Sequence, residues 1–273
     1  MLHSADNYKF RLDIKVIRKI FAVLLFLASF PAAAAKHLTA QSWLVSDPQG
    51  KLIQHENIDQ VRAIASITKL LTVITVLDAH QSMDEQVALS KKLRDRLPRK
   101  VTSLTRRQLI ELAMVNSDNR AAQTLCEAYP GGFDACVQAM NRKLRELNMF
   151  NSVVYEPTGL DARNVSTARE LVYLVQAARN YGPVLEASQK TQVQIKIKKK
   201  WFFFHQTNPL VGKTQRVIVS KTGWITASGG CIVLLMSTDL GDRIVVVMGS
   251  RSTRTRIPEA EFISNLRGTD DEQ

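Results

Sequence analysis

The order of apolar and polar positions along the chain predicts strands first, then helices, then strands again. Residues 41–45 and 52–56 each have the composition of a short strand. Between them, Asp47-Pro48-Gln49-Gly50 consists of residues that favour tight turns, because they tolerate or preset the backbone angles that a turn needs. The two segments therefore predict a β-hairpin.

The middle of the chain repeats apolar residues at helical spacing. In one segment Phe133, Val137, Met140, Leu144 and Leu147 fall near one helix face. Similar patterns predict helices over residues 66–80, 104–115, 120–128 and 133–147, and a further helix from residue 168 that ends near Tyr181-Gly182-Pro183.

The last third of the chain returns to strand patterns. Residues 193–198 alternate with period two, and residues 201–204 follow closely, which predicts a second, smaller hairpin. Three strands are then predicted over residues 216–221, 230–237 and 243–249, followed by a helix over residues 258–266. Strands from both chain ends around a block of helices predict an α+β fold, in which an antiparallel sheet of about five strands is flanked by helices.

Residues 1–35 have the composition of an export signal. A lead with five Lys and Arg precedes an apolar run over residues 20–30, and Pro31-Ala32-Ala33-Ala34-Ala35 supplies the small residues that a signal peptidase requires. The apolar run is shorter than the roughly 20 residues that span a bilayer. We therefore predict cleavage after Ala35, a periplasmic location and a single domain over residues 36–273. Retention of the segment as an uncleaved anchor is the alternative.

The charge of the chain favours polyanionic partners. The whole sequence has a net charge of +12, of which residues 1–35 contribute +3, so the predicted mature chain carries +9. A basic exported protein is attracted to cell wall, to anionic lipid at the membrane surface or to nucleic acid. None of the known nucleic-acid-binding motifs is present, so we expect no nucleic-acid partner and favour the cell wall.

Three cysteines are present, Cys126, Cys136 and Cys231. Cys126 and Cys136 flank the helix-breaking sequence Tyr129-Pro130-Gly131-Gly132, and an oxidising compartment would allow them to bond across a helical hairpin. Both the bonded and the reduced state are compatible with the sequence. Cys231 lies in an apolar strand and is expected to be a buried, inert thiol.

Ser66 and Lys69 form the first chemical motif. They lie three residues apart at the front of an apolar stretch, so in a helix they share one face close to its positive N-terminal end. A serine needs a neighbouring base to act as a nucleophile, and a desolvated lysine near another cation can lose its proton at neutral pH. This pair alone is more typical of a solvated helix face than of a catalytic site.

Two later motifs change that interpretation. Ser117-Asp118-Asn119 interrupts two helical stretches, and Lys221-Thr222-Gly223 follows a predicted strand. Each is ordinary turn or strand-end chemistry by itself. Together with Ser66-x-x-Lys69, and in this order, they resemble the signature of class A β-lactamases and penicillin-binding proteins. The resemblance implies a β-lactamase/D,D-peptidase-like fold and acyl transfer to a serine.

The chemistry of amide attack assigns roles to these residues. Ser66 would be the nucleophile and Lys69 the base that takes its proton. Ser117 and Lys221 would carry that proton to the leaving amine, and the charge of Lys221 would lower the pKa of Lys69. Asn119 would hold the amide of the substrate through its donor and acceptor atoms.

Lys221 is also expected to bind the substrate, and three neighbouring residues complete this site. Thr222 would bond a terminal carboxylate of the substrate, and Gly223 would let the substrate backbone approach closely. The backbone N–H groups of Ser66 and Trp224 would bind the oxyanion. No His, Cys and carboxylate cluster suggests a metal site, so neither a metal nor another cofactor is expected.

Three further motifs belong to the resemblance, namely Pro157-Thr158-Gly159-Leu160, Asn164-Val165-Ser166-Thr167-Ala168 and Asn208-Pro209-Leu210. The resemblance runs from about Ser42 to Arg251. The chain thus resembles the low-molecular-mass penicillin-binding proteins, which are serine D-alanyl-D-alanine peptidases. It is similar in particular to the D-alanyl-D-alanine endopeptidases of the penicillin-binding protein 7 kind. Carboxypeptidase members usually add a C-terminal β-rich domain, and the end of this chain near the end of the catalytic domain favours the endopeptidase branch.

The resemblance implies a cell-wall remodelling hydrolase. Its substrate would be cross-linked peptidoglycan, cut at the D-alanyl–diaminopimelate bridge through an acyl-enzyme on Ser66, and β-lactams would acylate the same serine. Trp224 and Gly230 depart from the Tyr and Arg expected at these positions. We expect an altered substrate preference rather than lost activity, because Trp224 would act mainly through its backbone N–H.

Three alternatives remain open from the sequence. One is a D,D-carboxypeptidase of the same family. Another is a serine β-lactamase, for which Glu156-Pro157 resembles the start of a loop that holds the deacylating water, although Thr158-Gly159-Leu160 does not continue that pattern. The third is a non-catalytic wall-binding protein, against which the intact nucleophile and base argue.

Overall fold

Five strands form the main sheet. They are β1 Ser42–Ser46, β2 Leu52–Glu56, β9 Val217–Ile225, β10 Gly229–Thr238 and β11 Gly241–Ser250. The computed structural model describes residues 38–93, 101–213 and 216–268, and the predicted export signal lies outside the described residues. The strand order is β2-β1-β11-β10-β9, and every neighbouring pair is antiparallel. The predicted α+β fold is therefore confirmed.

Within the described residues seven α-helices accompany this sheet. They are α1 Thr68–Asp78, α2 Arg106–Glu111, α3 Asn119–Glu127, α4 Gly132–Glu146, α5 Ala168–Ala178, α6 Gly182–Gln189 and α7 Arg256–Ser264. A 3-10 turn, Ala65–Ile67, leads into α1, and a π-helical segment, Leu112–Asn116, follows α2. Because α1 contacts α3, α4, α5 and α6, it forms the centre of the helical layer.

Both faces of the main sheet are buried, which explains its continuous apolar strands. Successive side chains of a strand point to opposite faces. In β10, Val233 and Leu235 therefore pack into the core shared with α1, whereas Ile232 and Leu234 pack into a second core shared with α7. The sheet is thus fixed between two layers, which gives the residues at its β9 edge a defined position.

The structure corrects the sequence prediction in two places. The helix that was expected to end the helical block at Tyr181-Gly182-Pro183 is followed directly by α6, which was missed. Pro183 lies at the start of α6, where its fixed φ suits the first turn and its missing N–H has no cost. The strand predicted to end at Lys221 continues to Ile225, because the ladder with β10 pairs Gly223 with Cys231 and overrides the turn preference of Thr222-Gly223.

Three two-stranded sheets lie around the main sheet. They pair β3 Arg62–Ala63 with β6 Val165–Ser166, β4 Gln86–Ala88 with β5 Ser103–Thr105, and β7 Gln192–Ile197 with β8 Lys200–His205. The last pair confirms the predicted second hairpin. The other two pairs are only two or three residues long, too short for a periodic pattern to reveal them.

A disulfide joins Cys126 in α3 to Cys136 in α4, so the bonded alternative of the sequence analysis is the one that the structure adopts. Cys231 is a free, buried thiol, as expected. In the part of the chain that the structure describes, none of the helices combines the length and the apolar composition needed to cross a membrane.

Candidate active site

The chain turns sharply just before Ser66. Ala65 has a φ of +46°, a left-handed conformation that costs energy for a residue with a side chain. The 3-10 turn that follows presents the partly exposed Ser66 at the N-terminal end of α1. This strained turn places a serine hydroxyl at the positive end of a helix, as the sequence predicted.

Lys69 lies one turn further along and is completely buried. Its Nζ donates hydrogen bonds to Ser66 Oγ at 2.8 Å, to Asn119 Oδ1 at 2.7 Å and to the backbone carbonyl of Thr158 at 2.6 Å. Burial lowers the pKa of Lys69 to about 7, although the carboxylates of Glu156 and Asp118 oppose this shift. A substantial fraction of Lys69 is therefore neutral near pH 7 and can accept a proton from the serine.

A second hydroxyl and ammonium pair lies nearby. Lys221 Nζ donates to Ser117 Oγ at 2.9 Å and to the backbone carbonyl of Thr222 at 2.9 Å. Ser117 follows the π-helical segment and has a left-handed φ of +60°, so this hydroxyl too depends on an unusual backbone conformation. The structure thus contains the two Ser–Lys pairs that the sequence motifs predicted.

The origin of the lysine pKa shifts differs from the sequence-based expectation. The charge of Lys221 was expected to lower the pKa of Lys69, but burial is the main cause for Lys69. For Lys221, burial lowers the pKa well below its usual value, and the positive charges of Lys69 and Arg256 lower it further. Desolvation dominates because each ammonium is enclosed by protein and has lost its water.

Asn119 lies at the first position of α3, after Asp118, whose side chain accepts a hydrogen bond from the backbone N–H of Ala121 at 2.7 Å and caps the helix. The Oδ1 of Asn119 accepts from Lys69. Asn119 is therefore positioned beside Lys69, and its amide orients the lysine as well as being the expected substrate contact.

Thr222, Gly223 and Trp224 lie along β9. Thr222 Oγ1 donates to Thr207 Oγ1 at 2.7 Å, and the Trp224 side chain is 49 % exposed. A Cβ on Gly223 would lie 2.9 Å from the backbone nitrogen of Ser66, so only glycine allows β9 to approach Ser66 this closely. Arg256 was missed by the sequence analysis, and it donates from Nη1 to the carbonyl of Gly223 at 2.6 Å.

Residues 156–164 form a loop, which we call the Glu156 loop. Its support of Lys69 was also missed by the sequence analysis. The Glu156 carboxylate accepts from Thr158 N at 2.7 Å, Thr158 Oγ1 at 2.5 Å and Gly159 N at 2.6 Å. Asn164 Nδ2 donates to the same carboxylate at 3.0 Å and to the backbone carbonyl of Glu156 at 2.8 Å. These bonds fix the loop so that the Thr158 carbonyl faces Lys69.

Gly159 allows this loop to lie against the nucleophile turn. It has a left-handed φ of +79°, and a Cβ there would lie 1.9 Å from the carbonyl oxygen of Ala65. The sequence contained the signal, since Pro157-Thr158-Gly159-Leu160 and Asn164 were among the family motifs. Their function in supporting the lysine was not apparent without the structure.

The chain belongs to the D-alanyl-D-alanine carboxypeptidase family, because the sequence profile of that family matches residues 29–252. Within this family it is 35 % identical to the D-alanyl-D-alanine endopeptidase of Pseudomonas aeruginosa over 235 residues, which cover 82 % of this chain and 76 % of the relative. It is 32 % identical to the D-alanyl-D-alanine endopeptidase of Escherichia coli over 262 residues, covering 88 % and 84 % of the two chains. The resemblance seen in the sequence is thereby confirmed.

A solved structure supports the same conclusion. Penicillin-binding protein D2 from Listeria monocytogenes, in its cefotaxime-bound form, superposes with a TM-score of 0.74 at 26 % sequence identity. The match covers 83 % of this chain and 96 % of that protein. The β-lactamase/D,D-peptidase-like fold predicted from the motifs is therefore confirmed.

Proposed function

We propose that this protein is a serine D-alanyl-D-alanine endopeptidase that hydrolyses D-alanyl cross-links in peptidoglycan and is inhibited covalently by β-lactams. The observation that carries the proposal is the 2.8 Å contact between Ser66 Oγ and a buried Lys69 whose pKa is about 7. The curated relatives that it matches at 32–35 % identity are named as endopeptidases of this kind. A non-catalytic wall-binding protein would have no use for this pair.

In the acylation step, neutral Lys69 takes the proton of Ser66 as Oγ attacks the carbonyl carbon of the D-alanyl residue. The negative charge that develops on the carbonyl oxygen is stabilised by the backbone N–H groups of Ser66 and Trp224. Ser117 and Lys221 relay that proton from Lys69 to the leaving nitrogen as its bond to carbon breaks, so Lys69 is neutral again when the step ends. The products of this step are an ester on Ser66 and a free amine.

In the deacylation step, a water molecule attacks the ester and loses its proton to Lys69. The tetrahedral intermediate collapses, Ser66 recovers its proton, and the peptide leaves with a new D-alanyl carboxylate. Asn119 and Thr222 hold the substrate amide and the carboxylate beside the leaving nitrogen. A β-lactam carries a reactive amide and a nearby carboxylate, so it enters the same step and leaves Ser66 acylated.

The β-lactamase alternative is disfavoured by the Glu156 loop. A class A β-lactamase needs a glutamate that holds a deacylating water. The carboxylate of Glu156 already accepts hydrogen bonds from the backbone and side chain of its own loop. The D,D-carboxypeptidase remains the second candidate, because the matching family profile is described by that activity and the acylation chemistry is the same.

The experiment follows the intact mass of the protein over hours, with and without benzylpenicillin. A persistent single adduct on Ser66, absent from Ser66→Ala and present in the exposed-serine control Ser103→Ala, is the expected result. Rapid loss of the adduct with accumulating product would instead indicate a β-lactamase, and the absence of any adduct would indicate a binding protein. Digestion of cross-linked muropeptides then separates endopeptidase from carboxypeptidase, since only the former converts dimers to monomers.

We also place the protein in the periplasm, on the basis of the export signal predicted over residues 1–35. The Cys126–Cys136 disulfide supports an oxidising compartment. The positive charge of the protein favours association with the wall or with anionic lipid. Cell fractionation tests this placement, and recovery of the full-length chain in the cytoplasmic fraction would contradict it.

A further inference from the structure

The β7–β8 hairpin exposes an unusual set of side chains. Lys196 pairs with Trp201 across the two strands, and Gln194 pairs with Phe203. Trp201 and Phe203 are each 53 % exposed, and Lys196 Nζ lies 5.7 Å from the centre of the Trp201 ring. We call these four residues, with the tip lysines Lys198, Lys199 and Lys200, the hairpin face.

Folding alone does not account for the two exposed aromatic rings. The opposite side of the hairpin already packs into the core through Val193, Ile195 and Phe204. The lysines have a structural explanation, because lysine on an exposed strand prevents pairing with another sheet. That explanation does not extend to Trp201 and Phe203, whose exposure costs solvation free energy and is typical of an interaction surface.

The hairpin face leads directly to the active site. Asn116, the residue before Ser117, donates from Nδ2 to the backbone carbonyl of His205 at the end of β8 at 3.0 Å. Two residues further on, Thr207 accepts the hydrogen bond from Thr222. The hairpin therefore lies beside the segments that carry Ser117 and Thr222, and a long polymer bound at Ser66 can continue over the hairpin.

We propose that the hairpin face is a second binding site for the peptidoglycan polymer, which holds the glycan strand and its peptide carboxylates beside the cross-link being cut. This inference rests on the proposed function. Sugar rings present C–H groups that pack against the negative faces of Trp201 and Phe203. Gln194 can bond sugar hydroxyls, and the lysines attract free carboxylates of the stem peptides.

The arrangement of the face favours this polymer over a lipid surface. A membrane-binding surface presents a contiguous apolar area with basic residues around it. Here Gln194 and Lys196 lie directly across from Phe203 and Trp201, so a row of polar groups on β7 runs beside the two aromatic rings on β8. Aromatic rings flanked by hydrogen-bonding groups suit a polyhydroxylated chain better than hydrocarbon.

The first experiment measures binding of the full mature chain to purified, insoluble peptidoglycan sacculi. Ser66→Ala is the background, so that binding is separated from turnover. Trp201→Ala with Phe203→Ala should weaken binding about tenfold, since aromatic contacts that become buried on binding dominate many interfaces. A separate variant, Lys198→Gln with Lys199→Gln and Lys200→Gln, should also weaken it about tenfold, since it removes the charges that attract the carboxylates. Phe150→Ala, which removes another exposed ring, is the matched control and should bind like the background protein.

Two results would overturn the proposal. One is unchanged sacculus binding in both hairpin variants. The other comes from a parallel measurement with vesicles of phosphatidylglycerol and phosphatidylcholine. If the hairpin variants lose binding to these vesicles but keep binding to sacculi, the face is a membrane contact. Benzylpenicillin labelling of the same substitutions with Ser66 intact checks that the cleft is folded, so weak binding by a misfolded variant is recognised.

A second measurement separates this site from the cleft. With Ser66 intact, the hairpin substitutions should raise KM for intact sacculi about tenfold and affect a soluble cross-linked muropeptide dimer much less. An equal effect on both substrates would contradict the proposal. If the unsubstituted enzyme cleaves neither substrate, the proposed function fails, whereas the sacculus-binding result still decides the hairpin face independently.

Discussion

The backbone carbonyl of Thr158 accepts a 2.6 Å hydrogen bond from the ammonium of Lys69. The two residues are far apart in sequence, and the carbonyl comes from the Glu156 loop. Since Lys69 has three acceptors around one Nζ, its direction toward Ser66 depends on that loop as much as on α1. The Ser66–Lys69 pair is therefore held by a loop as well as by its own helix.

Acylation by benzylpenicillin should rise with pH through an apparent pKa near 7. Lys69 must be neutral to take the proton of Ser66, and its burial lowers its pKa to about 7. The measurement is the second-order acylation rate as a function of pH. Above that pKa, Lys69→Ala should lower this rate by about 10²–10⁴-fold, and the difference should shrink as the pH falls below it. A rate that is flat across neutral pH, or an unaffected Lys69→Ala protein, would show that another base acts.

The same shift predicts a stability effect for Lys69→Met. Between about pH 7 and pH 10.5, the ordinary pKa of lysine, Lys69 is protonated in the unfolded chain and neutral in the folded protein. The free energy of unfolding therefore rises with pH in this window. Lys69→Met removes the buried amine and should raise the free energy of unfolding at pH 7 by about 1–4 kcal/mol. The gain should shrink toward pH 10. Urea unfolding at several pH values measures it, with exposed Lys51→Met as the control.

Glu156→Gln should weaken both stability and acylation. The amide places an NH₂ group where the loop presents N–H donors, so we expect a loss of about 1–3 kcal/mol in unfolding free energy. Displacement of the Thr158 carbonyl should slow acylation about 10- to 100-fold. Thermal unfolding and penicillin labelling measure the two effects, and exposed Glu261→Gln is the control. Normal acylation with a longer-lived adduct would instead make Glu156 a deacylation base.

Gly159→Ala should slow acylation severely, whereas Gly182→Ala should have only a mild effect on the acylation rate. A Cβ on Gly159 would lie 1.9 Å from the Ala65 carbonyl oxygen and would meet a left-handed φ, so the nucleophile turn must move. A Cβ on Gly182 would meet no atom within 4 Å. We expect acylation to fall by about 100-fold or more in the first variant. Similar rates in the two variants would contradict the proposed packing.

Reduction of the Cys126–Cys136 disulfide should destabilise the protein by about 2–3 kcal/mol, because the bond closes a short loop in the unfolded chain. Dithiothreitol should lower the melting temperature of the native protein to the melting temperature of a double variant that carries Cys126→Ala and Cys136→Ala. The double variant itself should not respond to dithiothreitol. Cys231→Ala should keep the full response, since Cys231 is a free thiol.

Local patterns predicted most of the elements and failed where tertiary context competes with them. The strand that carries Lys221 was ended too early because Thr222-Gly223 favours a turn, yet pairing with β10 extends it to Ile225. Helix α6 was missed because Pro183 was taken as an end rather than as a beginning. Both errors come from residues whose local preference has two structural solutions.

By itself, the sequence determined the order of the main strands and of most helices, the α+β class, and the motif residues Ser66, Lys69, Ser117 and Lys221. These follow from periodicity and from residue types, which are local properties of the chain. Only the tertiary structure decided how Lys69 loses its charge, namely through burial, and how its amine is oriented, namely by carbonyl and amide oxygens that come from distant segments. Desolvation and cross-chain hydrogen bonds depend on which segments meet in space, and no single segment encodes that meeting.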